Sequence, residues 1–433
     1  MMNQTRIIKN FIHDIAVPGI PISLICINFI FILLPFTFLT GPFLPDLFLS
    51  IIALYFLITS IQKKLKSYFQ NTFVYIFAAF YFYLLLRGLF SSYPYESLIA
   101  YNGPIFYFRY LFFILGVCYL LNLNPRLIRY FCITLVTSIV FAVLDGYLQW
   151  ATGFNIFGFQ SPSIRVTGIF RDEEILGHYL AHVVPLAFAL LIFVGGINSK
   201  KMMLYMIFLV ISEVMIFITN DRAAFLKIFQ FTLLLIVLSN HFKIYRIISF
   251  LISAMIIYFL LQFSSDSITR YSQTLKSVSE TTIPYMPWTK GHEKHFSVTV
   301  EMFQDNPIFG QGPQLFKTLC KIIPSYQDRC TSHPHNYYFQ TLGELGAVGI
   351  IFLLIAFFYL TFILWKQFIY HWFKKKKSDP IIYPDHILSL YAHLFILVWP
   401  LITHQSFYNN WLNVLVFLPV GFLMYFLDRN QKN

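Results

Sequence analysis

The stretch "LGAVGIIFLLIAFFYLTFILW", Leu345 to Trp365, runs 21 residues without a charged side chain. About 20 apolar residues wound into a helix cross the hydrocarbon core of a bilayer with every backbone group paired internally. One such run would be an anchor, but eleven more occur in the 433 residues. The expected fold is therefore all-α: a polytopic membrane protein with about twelve spans. They are expected at 17–39, 44–61, 72–89, 104–121, 128–149, 177–195, 202–219, 223–239, 246–263, 345–365, 386–403 and 410–427. Composition agrees, with 58% hydrophobic and 12% charged residues, half the roughly 25% charge of soluble proteins. The first run follows His13 and Asp14 and leads straight into a second, so it reads as an anchor helix rather than a cleaved signal.

Most joints are short; 150–176 and 264–344 are not. Three parts follow: a membrane domain 1–263 with nine spans and the loop 150–176, a large loop 264–344 containing short helices, and a membrane domain 345–433. Lys and Arg near span ends favour the cytoplasm. With the N-terminus inside, 18 of the 31 basic residues fall in inner joints, from Arg6 and Lys9 through Lys243, Arg246 and Lys374 to Lys377, to Arg429 and Lys432. Both termini are then cytoplasmic and both long loops outside. The net charge of +12 is explained by orientation at an anionic inner leaflet, not by nucleic acid. Cys26, Cys118 and Cys132 fall in spans, whereas Cys320 and Cys330 share the outer loop, where an oxidising exterior would let them form a disulfide.

Four polar clusters fall on the outer side. "SIRVTGIFRDEEILGHYLAH" (164–182) places Arg165 where a guanidinium could reach a phosphate. "TNDRAAF" (219–225) puts Arg222 in a tight outer turn, suited to paired hydrogen bonds with a lipid-linked diphosphate. "GHEKHFSVTVEMFQDNPIFGQGPQLF" (291–316) resembles HExxH but spaces His292 and His295 three apart, so no metal is expected. It reads as an amphipathic helix over 293–304 with Phe296, Val300 and Phe303 on one face. His292, Lys294 and His295 stand at its start, where dipole and charge favour an anion. "CTSHPHNYYFQTLGELG" (330–346) holds His333 and His335 about a proline expected to keep the backbone extended, then Asn336 as an orienting amide and Glu344. A histidine there suits general-base work.

Together, "FQDNPIFGQGPQLF" and "HPHNYYFQTLGELGAVG" are similar to the signature of the O-antigen ligase and polymerase superfamily of bacterial envelopes. The matching features are Pro307, Gly310 and Gly312, then His335 with Asn336, then Glu344 with Gly346. "RVTGIFRDEEILGHYL" and "NDRAAF" resemble its upstream blocks. Many relatives carry an arginine where His292 stands here. The resemblance implies glycan transfer from a polyprenyl-diphosphate carrier to an acceptor hydroxyl, on lipid A-core or a similar acceptor. The place implied is the periplasmic face of the bacterial inner membrane. Arg222 and His335 fall where the family keeps residues needed for activity; Arg165, His292, Lys294, His295, His333, Asn336 and Glu344 are expected as substrate-binding support. Neither nucleotide nor metal is required if arginines hold the diphosphate. The repeat-unit polymerase of the same family is the nearest alternative. A lipid-linked glycan transporter is less favoured because the span midplanes read as nearly bare of ionisable residues. A metal-dependent hydrolase would rest on the four outer histidines.

Overall fold

The computed structural model describes residues 14–15, 19–100, 103–241, 243–263, 272–273, 276–281, 288–374 and 383–432. Arg6, Lys9, His13, Lys375 to Lys377 and the start of the long loop at 264–271 lie outside the described residues. The helices positioning the site are α1 (Ile22–Thr37), α2 (Phe43–Gln62), α3 (Thr72–Leu89), α4 (Phe108–Leu123), α5 (Leu127–Thr152), α6 (Leu176–Gly195) and α7 (Ser199–Ile218). They continue as α8 (Arg222–Leu238), α9 (Lys243–Phe263), α10 (Lys290–Asp305), α11 (Leu315–Ile322), α12 (Tyr337–Ile369), α13 (Asp385–Leu397) and α14 (Asn410–Lys432). Strand pairing among the described residues amounts to one isolated bridge, Phe154 with Gln160. The molecule is an all-α polytopic membrane protein.

Local chemistry sets the helix ends. Side chains of Asn71, Asn198, Asp221 and Asn336 accept hydrogen bonds from the first-turn amides of α3, α7, α8 and α12, which have no partner within the helix. Gly153, at φ 83°, closes α5 in the left-handed conformation. Ten of the described helices are long and apolar enough to cross a membrane. The spans expected at 223–239 and 386–403 form shorter helices, α8 with 17 residues and α13 with 13.

The early end of α13 has a physical cause. Pro400 has no N–H and disfavours helix at Trp399, so the chain leaves the helix at Val398 and continues irregularly to α14. Irregular backbone at membrane depth needs partners. The Tyr338 hydroxyl donates to the Val398 carbonyl (2.6 Å), and the Asn336 amide to those of Pro400 (2.8 Å) and Ile402 (3.2 Å).

α6 and α13 pack against each other at the centre, and α14 returns to pack on α4 and α2. Gly421 of α14 meets Val117 so closely that an added Cβ would lie 2.8 Å from the valine Cβ, the small-residue contact that lets membrane helices approach.

The interior is less bare than its sequence suggests. Arg246, expected in a cytoplasmic joint, is fully buried in α9 and paired with Glu213 of α7. The Glu213 carboxylate also accepts from Thr232 (2.9 Å) and Ser253 (2.7 Å), partners of the kind a charge needs in hydrocarbon. Lys227, His182 and His393 are buried within spans as well. This removes the bare midplane as a ground for setting a transporter aside.

The long loop has its own small core of Val298, Met302, Leu315, Phe316, Leu319, Cys320 and Tyr326. Cys320 and Cys330 are joined there in a disulfide, Cα–Cα 5.9 Å. On α10 the buried face is Phe296, Val298, Thr299 and Met302. Val300 and Phe303, expected with Phe296, are only half-buried, because α10 packs on two sides, against the loop core and against α12. The second contact stacks Phe296 on Phe339 at 4.0 Å.

Candidate active site

The site forms at the end of the bundle that carries the long loop. α12 begins at Tyr337, eight residues before the expected span, and is broken at Gly346 (φ 64°, ψ −162°). The turn 307–312 fills that break. The amides of Ala347 and Val348 bond the carbonyls of Pro307 (2.9 Å) and Ile308 (3.1 Å), and those of Gln311 and Gly312 bond the carbonyls of Gly343 (3.1 Å) and Glu344 (2.8 Å). Gly310, at φ 70°, comes so close that a Cβ would stand 2.4 Å from the Glu344 carbonyl carbon. Arg87 of α3 clamps the turn, its guanidinium donating to the Gly310 carbonyl at 2.7 and 3.0 Å.

Asn336 and Glu344, expected as substrate contacts, are buried and committed to protein partners. Asn336 caps α12 through Oδ1, accepting from Tyr338 (2.8 Å) and Phe339 (3.2 Å), while Nδ2 holds the irregular segment after α13. Glu344 Oε1 accepts from the Phe316 amide at 3.1 Å, and Gln340 approaches Oε2 at 3.4 Å. Both residues fix the loop to the bundle.

Four histidines gather above them. The His335 ring lies 4.0 Å from that of His333, 5.8 Å from His292 and 5.9 Å from His295, centroid to centroid. The backbone between the first two is not extended as expected, since His335 has φ 59°. Its carbonyl accepts from the His404 amide (2.8 Å), and the turn folds the two rings together.

Burial, reinforced by His295 and His178, lowers the pKa of His335 to about 4. Burial together with neighbouring imidazoles, His335 foremost, brings His333 to about 3. For His292, burial and the charges of His335, His295 and Arg222 give about 4. These three rings are therefore neutral at pH 7. His292 thus does not supply the positive charge expected at the start of α10. Its Nδ1 accepts from the Thr289 amide (3.3 Å) in a capping box, which fixes the proton on Nε2 and makes it a neutral donor. His295 donates from Nδ1 to the Arg329 carbonyl at 2.7 Å. Lys294 is exposed and, at helical spacing, projects away from the face shared by His292 and His295.

The arginines enter from the other side. Arg222 opens α8, half-buried, with its charge acting on His292. Arg165 pairs with Glu174 at 2.9 Å, and its buried Nε has no protein partner. Asn220, at φ 54°, donates to the Ile164 carbonyl (3.1 Å), docking the 219–222 turn on the loop that carries Arg165. The Arg165 charge acts on Asp221, whose side chain caps α8.

Three residues of this region were not singled out from the sequence: His178, Asp221 and His404. The first two stand inside quoted blocks, but their pairing joins residues 43 apart. His404 follows the Pro400 break and carries no local signal. Its ring stacks on Tyr337 at 4.2 Å.

Fold and site together define a polytopic membrane protein whose loop end carries an arginine- and histidine-lined site. Residues 204–354 match the family model described as O-antigen ligase. The match, over part of the chain, supports its resemblance to the O-antigen ligase and polymerase superfamily. No curated protein matches it in sequence.

Proposed function

We propose that the protein transfers a glycan from a polyprenyl-diphosphate carrier to an acceptor hydroxyl, as a ligase acting on lipid A-core or a similar acceptor at the periplasmic face of a bacterial inner membrane. The observation that carries this reading is the meeting of His335 and three further imidazoles with Arg222 inside the matched region. Arg222 and Arg165 hold the diphosphate through paired hydrogen bonds. His292 donates to it as a neutral group. His335, proton-free at neutral pH, removes the acceptor proton as the sugar–diphosphate bond breaks. The diphosphate departs with the bonding electrons, so the chemistry calls for no nucleotide.

Purified protein supplied with lipid-linked glycan and acceptor tests this. His335→Ala is expected to slow transfer by roughly 100- to 10,000-fold while donor binding persists. Arg222→Lys is expected to lose most activity, because an ammonium cannot reproduce the planar fork. Wild-type rates in His335→Ala would sink the assignment. In cells, a ligase defect leaves long glycan on the carrier, whereas a polymerase defect leaves one repeat unit on the acceptor. That comparison separates the two members of the family.

A further inference from the structure

The loop after α5 does not lead away from the bundle; it turns back along the helix it has just left. The Ile156 amide donates to Asp145 Oδ1 at 2.8 Å, and Gln149 Nε2 donates to the Phe159 carbonyl at 3.3 Å. Further on, the Thr167 and Gly168 amides donate to Gln149 Oε1 at 2.8 and 2.7 Å. Asp145 precedes the last residue of α5, Thr152, by about two turns, so the loop reaches back about 10 Å from the helix end. α5 has 26 residues, which makes it about 39 Å long against a hydrocarbon core of about 30 Å. Even with all of the roughly 9 Å excess placed at this end, the Ile156 amide reaches hydrocarbon depth.

Irregular backbone is tolerated there only with its polar groups paired. Every amide from Gly153 to Phe159 has an acceptor. Those of Gly153 and Phe154 take the Gln149 carbonyl (2.8 Å) and Thr152 Oγ1 (3.3 Å). Asn155 and Gly158 take the carbonyls of Phe159 (3.0 Å) and Asn155 (2.9 Å). Phe157 and Phe159 both donate to Asn155 Oδ1, at 3.0 and 2.9 Å. Asn155 Nδ2 donates in turn to the Gly168 carbonyl at 2.9 Å. The polar side chains of this set, Asp145, Gln149 and Asn155, are buried, while Phe154, Ile156, Phe157 and Phe159 are exposed, Phe157 at 62%. A loop facing water would leave its amides to solvent and turn these side chains the other way.

We propose that residues 153–159 are a re-entrant turn inserted in the bilayer leaflet at the loop end, with lipid acyl chains as its partner. Continuity with a span selects the leaflet as occupant. Val140, Leu144 and Leu148 of α5 are exposed at helical spacing, followed by exposed Trp150, and the turn folds back beside these same helical turns. The Arg171 guanidinium lies over the Phe159 ring at 4.7 Å, a cation beside the apolar patch that suits lipid phosphates. The insertion bears on the site through the chain that follows. The Ser161 hydroxyl donates to the Arg165 carbonyl, and Asn220 holds the Ile164 carbonyl at 3.1 Å. A turn fixed in the leaflet thereby sets the depth at which the Arg165 guanidinium meets lipid headgroups, whatever reaction the site performs.

Spin-label accessibility of the full-length protein tests this, in vesicles of phosphatidylethanolamine and phosphatidylglycerol. Cys26 is an exposed free thiol, so the background is Cys26→Ser. Labels are placed singly at Phe157→Cys and Phe154→Cys, which report the patch independently. Leu148→Cys serves as the lipid-facing reference, and Ser163→Cys, at an exposed position of the same loop, as the water-facing one. Both patch labels are expected to be relaxed by oxygen and shielded from a water-soluble nickel chelate, as at position 148, with chelate collisions several-fold below those at position 163. Chelate access equal to that at position 163 would overturn the proposal and leave a loop in water. Shielding from oxygen and chelate alike would overturn it in favour of a face covered by protein, a second copy included. Shielding that appears only after polyprenyl phosphate is added would overturn it in favour of a groove for a polyprenyl chain.

Discussion

His335 is held in a backbone conformation that costs a non-glycine residue roughly 1–2 kcal/mol, and it persists because its surroundings over-determine it. Its carbonyl is bonded by His404, the next residue caps α12, and its ring is packed on His333. Such strain is retained where a side chain must be aimed. The neutral histidines carry a consequence for stability. His292, His333 and His335 have folded pKa values of about 4, 3 and 4, below the value near 6.5 of an unfolded chain. Between about pH 4 and pH 6.5 the unfolded state therefore binds more protons, and stability rises with pH across that window. Acidifying the detergent-purified protein from pH 7 to pH 5 is expected to lower its stability by roughly 1–2 kcal/mol for each of these histidines, read as a fall in melting temperature. Replacing His333 with Asn is expected to flatten the slope; an unchanged slope would count against a buried neutral imidazole there.

Among the elements, the junction of α12 with the 307–312 turn does most to place the site. A helix broken at Gly346 exposes amides and carbonyls on both sides of the break, and the turn supplies their partners. Gly310 is the contact point. An alanine there would meet the Glu344 backbone at 2.4 Å and adopt φ 70°, so Gly310→Ala is expected to destabilise the loop by about 2–4 kcal/mol. Limited proteolysis within 306–330 would detect the released loop, and wild-type resistance would argue against this docking. The sequence made part of the junction readable: glycines and a proline before a span, then polar residues at its mouth, belong to a turn meeting a helix. It did not reveal that Glu344 would point inward to the Phe316 amide. Nor did it reveal Arg87, whose partner carbonyls in the turn, those of Phe309 and Gly310, lie more than 220 residues away. Spans were legible because each is a local apolar run. Pairings such as Glu213 with Arg246, or His178 with Asp221, were not, because they exist only once separate helices stand side by side.

On the scale of the whole molecule, orientation and oxidation state are linked. On the proposed orientation, with both termini cytoplasmic, the loop end would face the oxidising side. Cys320 and Cys330, joined 5.9 Å apart between Cα atoms, are therefore expected to resist alkylation in intact cells until a reductant is added. Such a bridge stabilises a loop of this size by about 2–3 kcal/mol. Labelling of both thiols without reductant would reverse the proposed orientation or deny the bridge, and reporter fusions at the C-terminus would separate the two.

The bond from the His404 amide to the His335 carbonyl, with the Asn336 amide reaching Pro400 and Ile402, also bears on how the molecule is made. The histidine cluster is encoded before α12, but its scaffold leaves the ribosome only after α13. A chain still under synthesis thus carries its imidazoles before the bond that folds His335 can form. On the proposed function, premature termination ahead of residue 404 is expected to leave a membrane protein without transfer activity.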